Sequence, residues 1–253
     1  MLGSHYARLA AVAVALVMAS FSPAKARLSV WNLKLGDSYA ALPDWEEFKG
    51  YACGTNGGPA SIKLGGWQDF RRCRPEASGY REVYFEYDDE QEYIDRAQGL
   101  VNRLTGDAGT IEGTFPVVAS ALFDEAGVLR GVRLVTDPRW ENRPDDFYVQ
   151  HHPREEGNLL GTTLSARYEI DPKTHCETLP PAPGETPVGD QFVKLDCAKD
   201  IPAKQISVFL QVRLLRRPGE SGRNPFLETQ LTKGQFESTT RLEVFQLGYQ
   251  PKR

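Results

Sequence analysis

The 253-residue chain has no Gly-x-Ser-x-Gly, no His-Glu-x-x-His, no Cys-x-x-Cys, no Gly-x-Gly-x-x-Gly and no P-loop ending in Gly-Lys-Ser/Thr. The first absence argues against an α/β-hydrolase elbow and the second against a zincin. The third removes the common zinc-ribbon and thioredoxin-like spacings, and the last two remove the usual phosphate cradles. Histidine is scarce, four in all, which leaves little material for acid–base catalysis or metal ligation. No cofactor is expected. Beyond the amino-terminal segment no stretch reaches the 18 or so apolar residues of a membrane-crossing helix.

The amino terminus itself has the three parts of a secretory signal. Met1 to Arg8 is short and basic, Leu9 to Phe21 is almost wholly apolar, and Ala24-Lys25-Ala26 is a small-x-small cleavage site. The apolar run is too short for a membrane span, and no Cys follows it where a lipid could be attached. Residues 1–26 therefore read as a cleavable signal peptide, with the mature chain beginning near Arg27. Removing Arg8 and Lys25 from the 30 basic residues leaves 28 against 34 acidic ones, a net charge of −6. That balance argues against wholesale binding to nucleic acid, which normally needs a basic face.

The cysteines Cys53, Cys73, Cys176 and Cys197 are even in number and lie past the signal, as in an exported, disulfide-stabilised protein. Closing a short loop costs less entropy than closing a long one, so the expected bridges are Cys53–Cys73 and Cys176–Cys197. The first loop is Gly-rich and the second Pro-rich, and each is expected to carry little apolar material of its own.

The fold expected is α+β, a mainly antiparallel sheet with one main amphipathic helix in the first half. That helix spans about 89–104: Asp89 can cap it, with Glu92 three residues on, and Tyr93, Ile94, Ala97, Leu100, Val101 and Leu104 form an apolar stripe. Strands are expected at Arg81–Tyr87, at Phe115–Phe123 and Val128–Thr136 as a hairpin, and at Ala166–Ile170 and Gln191–Leu195. Gln205–Leu215, with apolar even positions, and Phe236–Leu247 complete the set. Pro138 to Asn158 has no clear period. The division expected is 27–150 as an α+β half and 151–253 as a mostly β half, or a single domain 27–253. Each half has two cysteines about 20 residues apart, a Phe before the second (Phe70, Phe192) and a strand about eight residues after it, a pattern that allows an internal duplication.

Two clusters are candidate ligand or metal sites. Asp88, Asp89 and Glu92 stand at a strand-to-helix junction, where hard-cation binding competes with capping and helix-dipole roles. His151 and His152 are adjacent with acids nearby, but neighbours on an extended segment point opposite ways. The functional expectation is a soluble exported binding or interaction protein, periplasmic or secreted, without catalytic activity. Its expected partner is another envelope or extracellular protein. The alternatives are an extracytoplasmic hydrolase working near His151 and His152, and a calcium- or metal-binding accessory protein.

Overall fold

The computed structural model describes residues 30–43, 48–58, 60–87, 110–111, 115–137, 153–219 and 236–251. They form one large antiparallel sheet. Its strands are β1 (Phe48–Cys53), β2 (Arg81–Tyr87), β3 (Thr110–Ile111), β4 (Phe115–Phe123), β5 (Leu129–Thr136), β6 (Cys176–Thr178), β7 (Val193–Ile201), β8 (Ile206–Leu215) and β9 (Glu237–Gln246). The order is β1-β2-β4-β5-β9-β8-β7-β6, with β3 attached to β4.

The expectation of a fold built on a main helix in the first half is overturned. Among the described residues the one long helix is α1 (Pro153–Arg167), in the half expected to be mostly β; α2 (Pro172–His175) is a single turn. The segment expected to be helical, 89–104, lies outside the described residues. The helix α1 escapes a periodicity search because its apolar face is small. Leu160, Leu164 and, just past its end, Tyr168 are buried. Between them Gly161 brings the helix backbone onto the sheet: a Cβ there would stand 2.6 Å from Val212 Cγ2. Pro153 stands at the first helical position, where a missing N–H costs nothing.

The end of α1 also corrects the strand expected at Ala166–Ile170. Ile170 N–H donates to Ser165 O (2.8 Å) and Glu169 N–H to Ala166 O (3.1 Å), the paired bonds of a Schellman cap. Glu169 holds the left-handed position (φ 52°) that glycine usually fills. The Lys199 ammonium donates to the carbonyls of Tyr168 (3.1 Å) and Glu169 (2.6 Å), satisfying groups the helix end leaves open.

Alternation along the strands sorts the sheet into two faces. Val83, Phe85, Ala119, Ala121, Phe123, Val132, Leu134, Val208, Leu210, Val212, Leu242 and Val244 belong to one buried core. That core contains residues of both halves, which meet where β5 pairs with β9. Over the first half lies the 3₁₀ turn Trp67–Arg72. Trp67 contacts Phe48, Tyr51, Phe85 and Phe123 with ring centroids 4.7–5.9 Å apart, and its indole N–H donates to Pro43 O at 2.6 Å. The loop closed by Cys53 and Cys73 is therefore no apolar-poor turn: it sends Trp67 and Phe70 into the core.

Two disulfides are present, Cys53–Cys73 and Cys176–Cys197, and among the described residues no cysteine is free. Cys176 and Cys197 face each other in the β6–β7 register. The strand order is palindromic, so β1, β2, β4 and β5 correspond to β6, β7, β8 and β9. The cysteines do not follow that correspondence. Cys53 ends β1 and Cys73 follows the turn, whereas Cys176 begins β6 and Cys197 lies within β7. The strand that follows Cys73 is β2 and the one that follows Cys197 is β8, which are not equivalent. No helix among the described residues is long and apolar enough to cross a membrane.

Candidate functional site

The described residues do not fully cover the inner face of the sheet at the seam between the halves. Val132 and Leu134 on β5 stand opposite Val244 and Leu242 on β9, and these four side chains floor a cavity of about 290 Å³. One wall is the segment before β1, through Val30, Trp31, Leu33 and Leu35. Tyr168 closes another side, and Lys204, Gln205, Ile206 and Gln246 form one end.

Each wall has a local cause. The amino-terminal segment is fastened to the β4–β5 turn: Gly36 N–H donates to Leu129 O, Leu129 N–H to Asp37 O and Tyr39 N–H to Gly127 O, all at 2.8 Å. Gly36 has φ +96°, a conformation glycine adopts without strain, and the chain thereby turns Leu33 and Leu35 towards the sheet. Tyr168 is set by the Schellman cap of α1. Its ring lies edge-on to Trp31 at 6.3 Å, and the Arg167 guanidinium sits 3.9 Å above the Trp31 ring, a cation–π contact. Burial pushes the Tyr168 hydroxyl above its usual pKa, against the opposing charge of Arg167. The hydroxyl stays protonated.

The chemistry of the lining is narrow. Among the described residues it contains no Asp, Glu, His, Cys, Ser or Thr. Apolar side chains predominate, and among the described residues Lys204 is the one charged lining residue. That composition can hold an apolar or amphiphilic molecule and offers neither a nucleophile–base pair nor a set of metal ligands.

The opposite face of the sheet holds a different construction. Arg133, 4% exposed, donates from Nη1 and Nη2 to Glu76 (2.6 and 3.0 Å) and from Nε to Glu243 (2.8 Å), and its Nη1 is 3.1 Å from Glu82. Glu82 in turn accepts from Gly57 N–H at 2.9 Å and from Asn56 N–H. Arg241 binds Glu243 and both oxygens of Asn56. Burial lowers the affinity of Arg133 for its proton, but the Glu76 hydrogen bonds and the Glu82 and Glu243 charges outweigh it and the pKa rises. Burial alone would raise that of Glu243; Arg133 and Arg241 hold it below the usual carboxylate range. The Gly-rich stretch 54–58 is thus strapped to the sheet. A Cβ on Gly57 would stand 2.5 Å from Val135 Cγ2. Every charge in the cluster has a protein partner, so its role is to hold loops.

Asp88, Asp89, Glu92, His151 and His152 lie outside the described residues. Among the described residues no three His, Cys, Asp or Glu side chains are placed to hold a metal ion. The sequence signalled only part of the cavity: the apolar even positions of Gln205–Leu215 lie on the core face. The residues Val30–Leu35, Tyr168, Lys204 and Gln246 carry no motif, because they converge only in three dimensions. The chain matches no family model, no curated protein and no solved structure.

Proposed function

We propose that this is an exported, non-catalytic binding protein that takes a small apolar ligand in the cavity at the β5–β9 seam. The observation that carries it is the continuous floor of Val132, Leu134, Leu242 and Val244 beneath a void whose described lining has no Asp, Glu, His, Ser or Thr. The signal-like amino terminus and the two disulfides support an oxidising compartment outside the cytoplasm. The first wall of the cavity begins at Val30, just past the expected cleavage site. A cavity of about 290 Å³ is about twice the ~150 Å³ that holds benzene in an engineered protein core.

Calorimetric titration of the exported protein with 1-octanol tests the proposal. One saturable site is expected, blocked in Leu134→Trp and in Leu35→Trp, the second variant changing a half-buried wall in place of the core. Absence of saturable binding to the unmodified protein, or undiminished binding by both variants, would overturn it.

A further inference from the structure

We infer that the cavity is built for an amphiphile with an anionic head, received at the Lys204–Gln246 end; this rests on the cavity being the binding site proposed above. Gln246 lies opposite Ile206 in the β8–β9 register, and Lys204 is two residues before Ile206, so both stand at one end of the void. The turn between β7 and β8 that carries Lys204 is fixed. Gln205, in the left-handed conformation (φ 54°), donates its backbone N–H (3.0 Å) and its side-chain N–H (2.8 Å) to Pro202 O. Leu247 N–H, just past β9, donates to Gln205 O at 2.9 Å.

The polarity at that end follows from hydrogen-bond accounting. The Arg130 guanidinium, which can only donate, gives Nη1–H to Gln246 Oε1 at 2.6 Å. Arg130 is itself held by Asp124 at 2.7 Å and lies under the Tyr249 ring at 3.8 Å. The carboxamide orientation is therefore settled, and Gln246 Nε2, beside Gly36, keeps two N–H donors that no acceptor among the described residues takes. Lys204 is exposed and adds an ammonium with three donors. Among the described residues no carboxylate lines the void to neutralise it. An apolar chamber ending in an ammonium and an amide N–H₂ suits a tail whose head offers only acceptor oxygens. Carboxylates and phosphate monoesters share that chemistry, while an amine head would meet Lys204 with like charge.

The test is a titration of the exported protein at pH 7.5 with octanoate, octyl phosphate, 1-octanol and octylamine, which share one tail. At least one anion should bind tenfold or more tightly than 1-octanol, with octylamine the weakest; the better anion identifies the head. Lys204→Glu, a change at an exposed position, should bring the anion-to-octanol affinity ratio, read on the same variant, from tenfold or more to below about twofold. Gln246→Leu should lower the same ratio. Equal binding of all four, or an anion preference that survives Lys204→Glu, would overturn the inference while leaving the cavity a binding site. Failure of all four to bind would overturn the proposed function itself.

Discussion

Arg133 is the side chain whose loss should do most damage for its size. It is 4% exposed and makes close contacts with three carboxylates, of which Glu82 and Glu243 are also buried. Replacing it with Met keeps much of the aliphatic volume and deletes the charge. Glu82 would retain its two backbone N–H donors and Glu243 would retain Arg241, so neither is stranded completely. Removing one partner from a buried ionic cluster costs about 3–5 kcal/mol, and these residual partners put Arg133→Met near the lower end, about 3 kcal/mol. For a chain of this length that corresponds to a fall of roughly 6–12 °C in Tm. Urea unfolding at pH 7 measures it. The pH dependence separates charge from packing. The Glu243 pKa is depressed in the folded state, so its contribution is complete above the ordinary glutamate value of about 4.3 and is lost as pH falls through the folded value. The variant lacks one of the two cations that depress it and should lose less on acidification. The gap between the two proteins therefore narrows as pH falls below about 4.3. A loss under about 1 kcal/mol at pH 7, the range of an exposed ion pair, or a gap that does not change with pH, would refute this reasoning.

Two further outcomes are expected. Non-reducing peptide mapping should return Cys53–Cys73 and Cys176–Cys197, and replacing both members of either pair with Ala should destabilise by about 2–4 kcal/mol in the loop-entropy account; Cys53–Cys73 should cost more, because its loop positions Trp67 and Phe70 in the core, and equal or reversed losses in chemical denaturation would contradict that ranking. Gly161→Val should cost at least the 1–3 kcal/mol of an overpacked core, because its Cβ would meet Val212 Cγ2 at 2.6 Å; a thermal melt unchanged within about 1 °C would show that α1 is not seated on β8 as described.

Legibility in the sequence followed from how local each cause was. The strands Arg81–Tyr87, Phe115–Phe123 and Gln205–Leu215 could be read within one residue at each end, because alternation and turn residues are properties of adjacent positions. Local disulfide pairing could be argued for the same reason, since loop-closure entropy depends on separation along the chain. The helix α1 could not be read. Its buried side, among the residues whose burial is described, is Leu160, Gly161 and Leu164, and it becomes an interface only because Val212 and Thr240 are there to receive a glycine. Its end carries Glu169 where a glycine would have signalled a cap, and Lys199, 30 residues away, completes the stop. The charged cluster about Arg133 links positions 57 and 110 residues apart. The cavity gathers Val30 and Gln246 from nearly opposite ends of the described chain. The sequence by itself determined which residues alternate, where the chain turns and which cysteines are near neighbours. The pairing of β5 with β9 was decided only in the tertiary structure. That pairing joins the two halves and opens the void between them, because its stabilising contacts are made between residues that no local pattern relates.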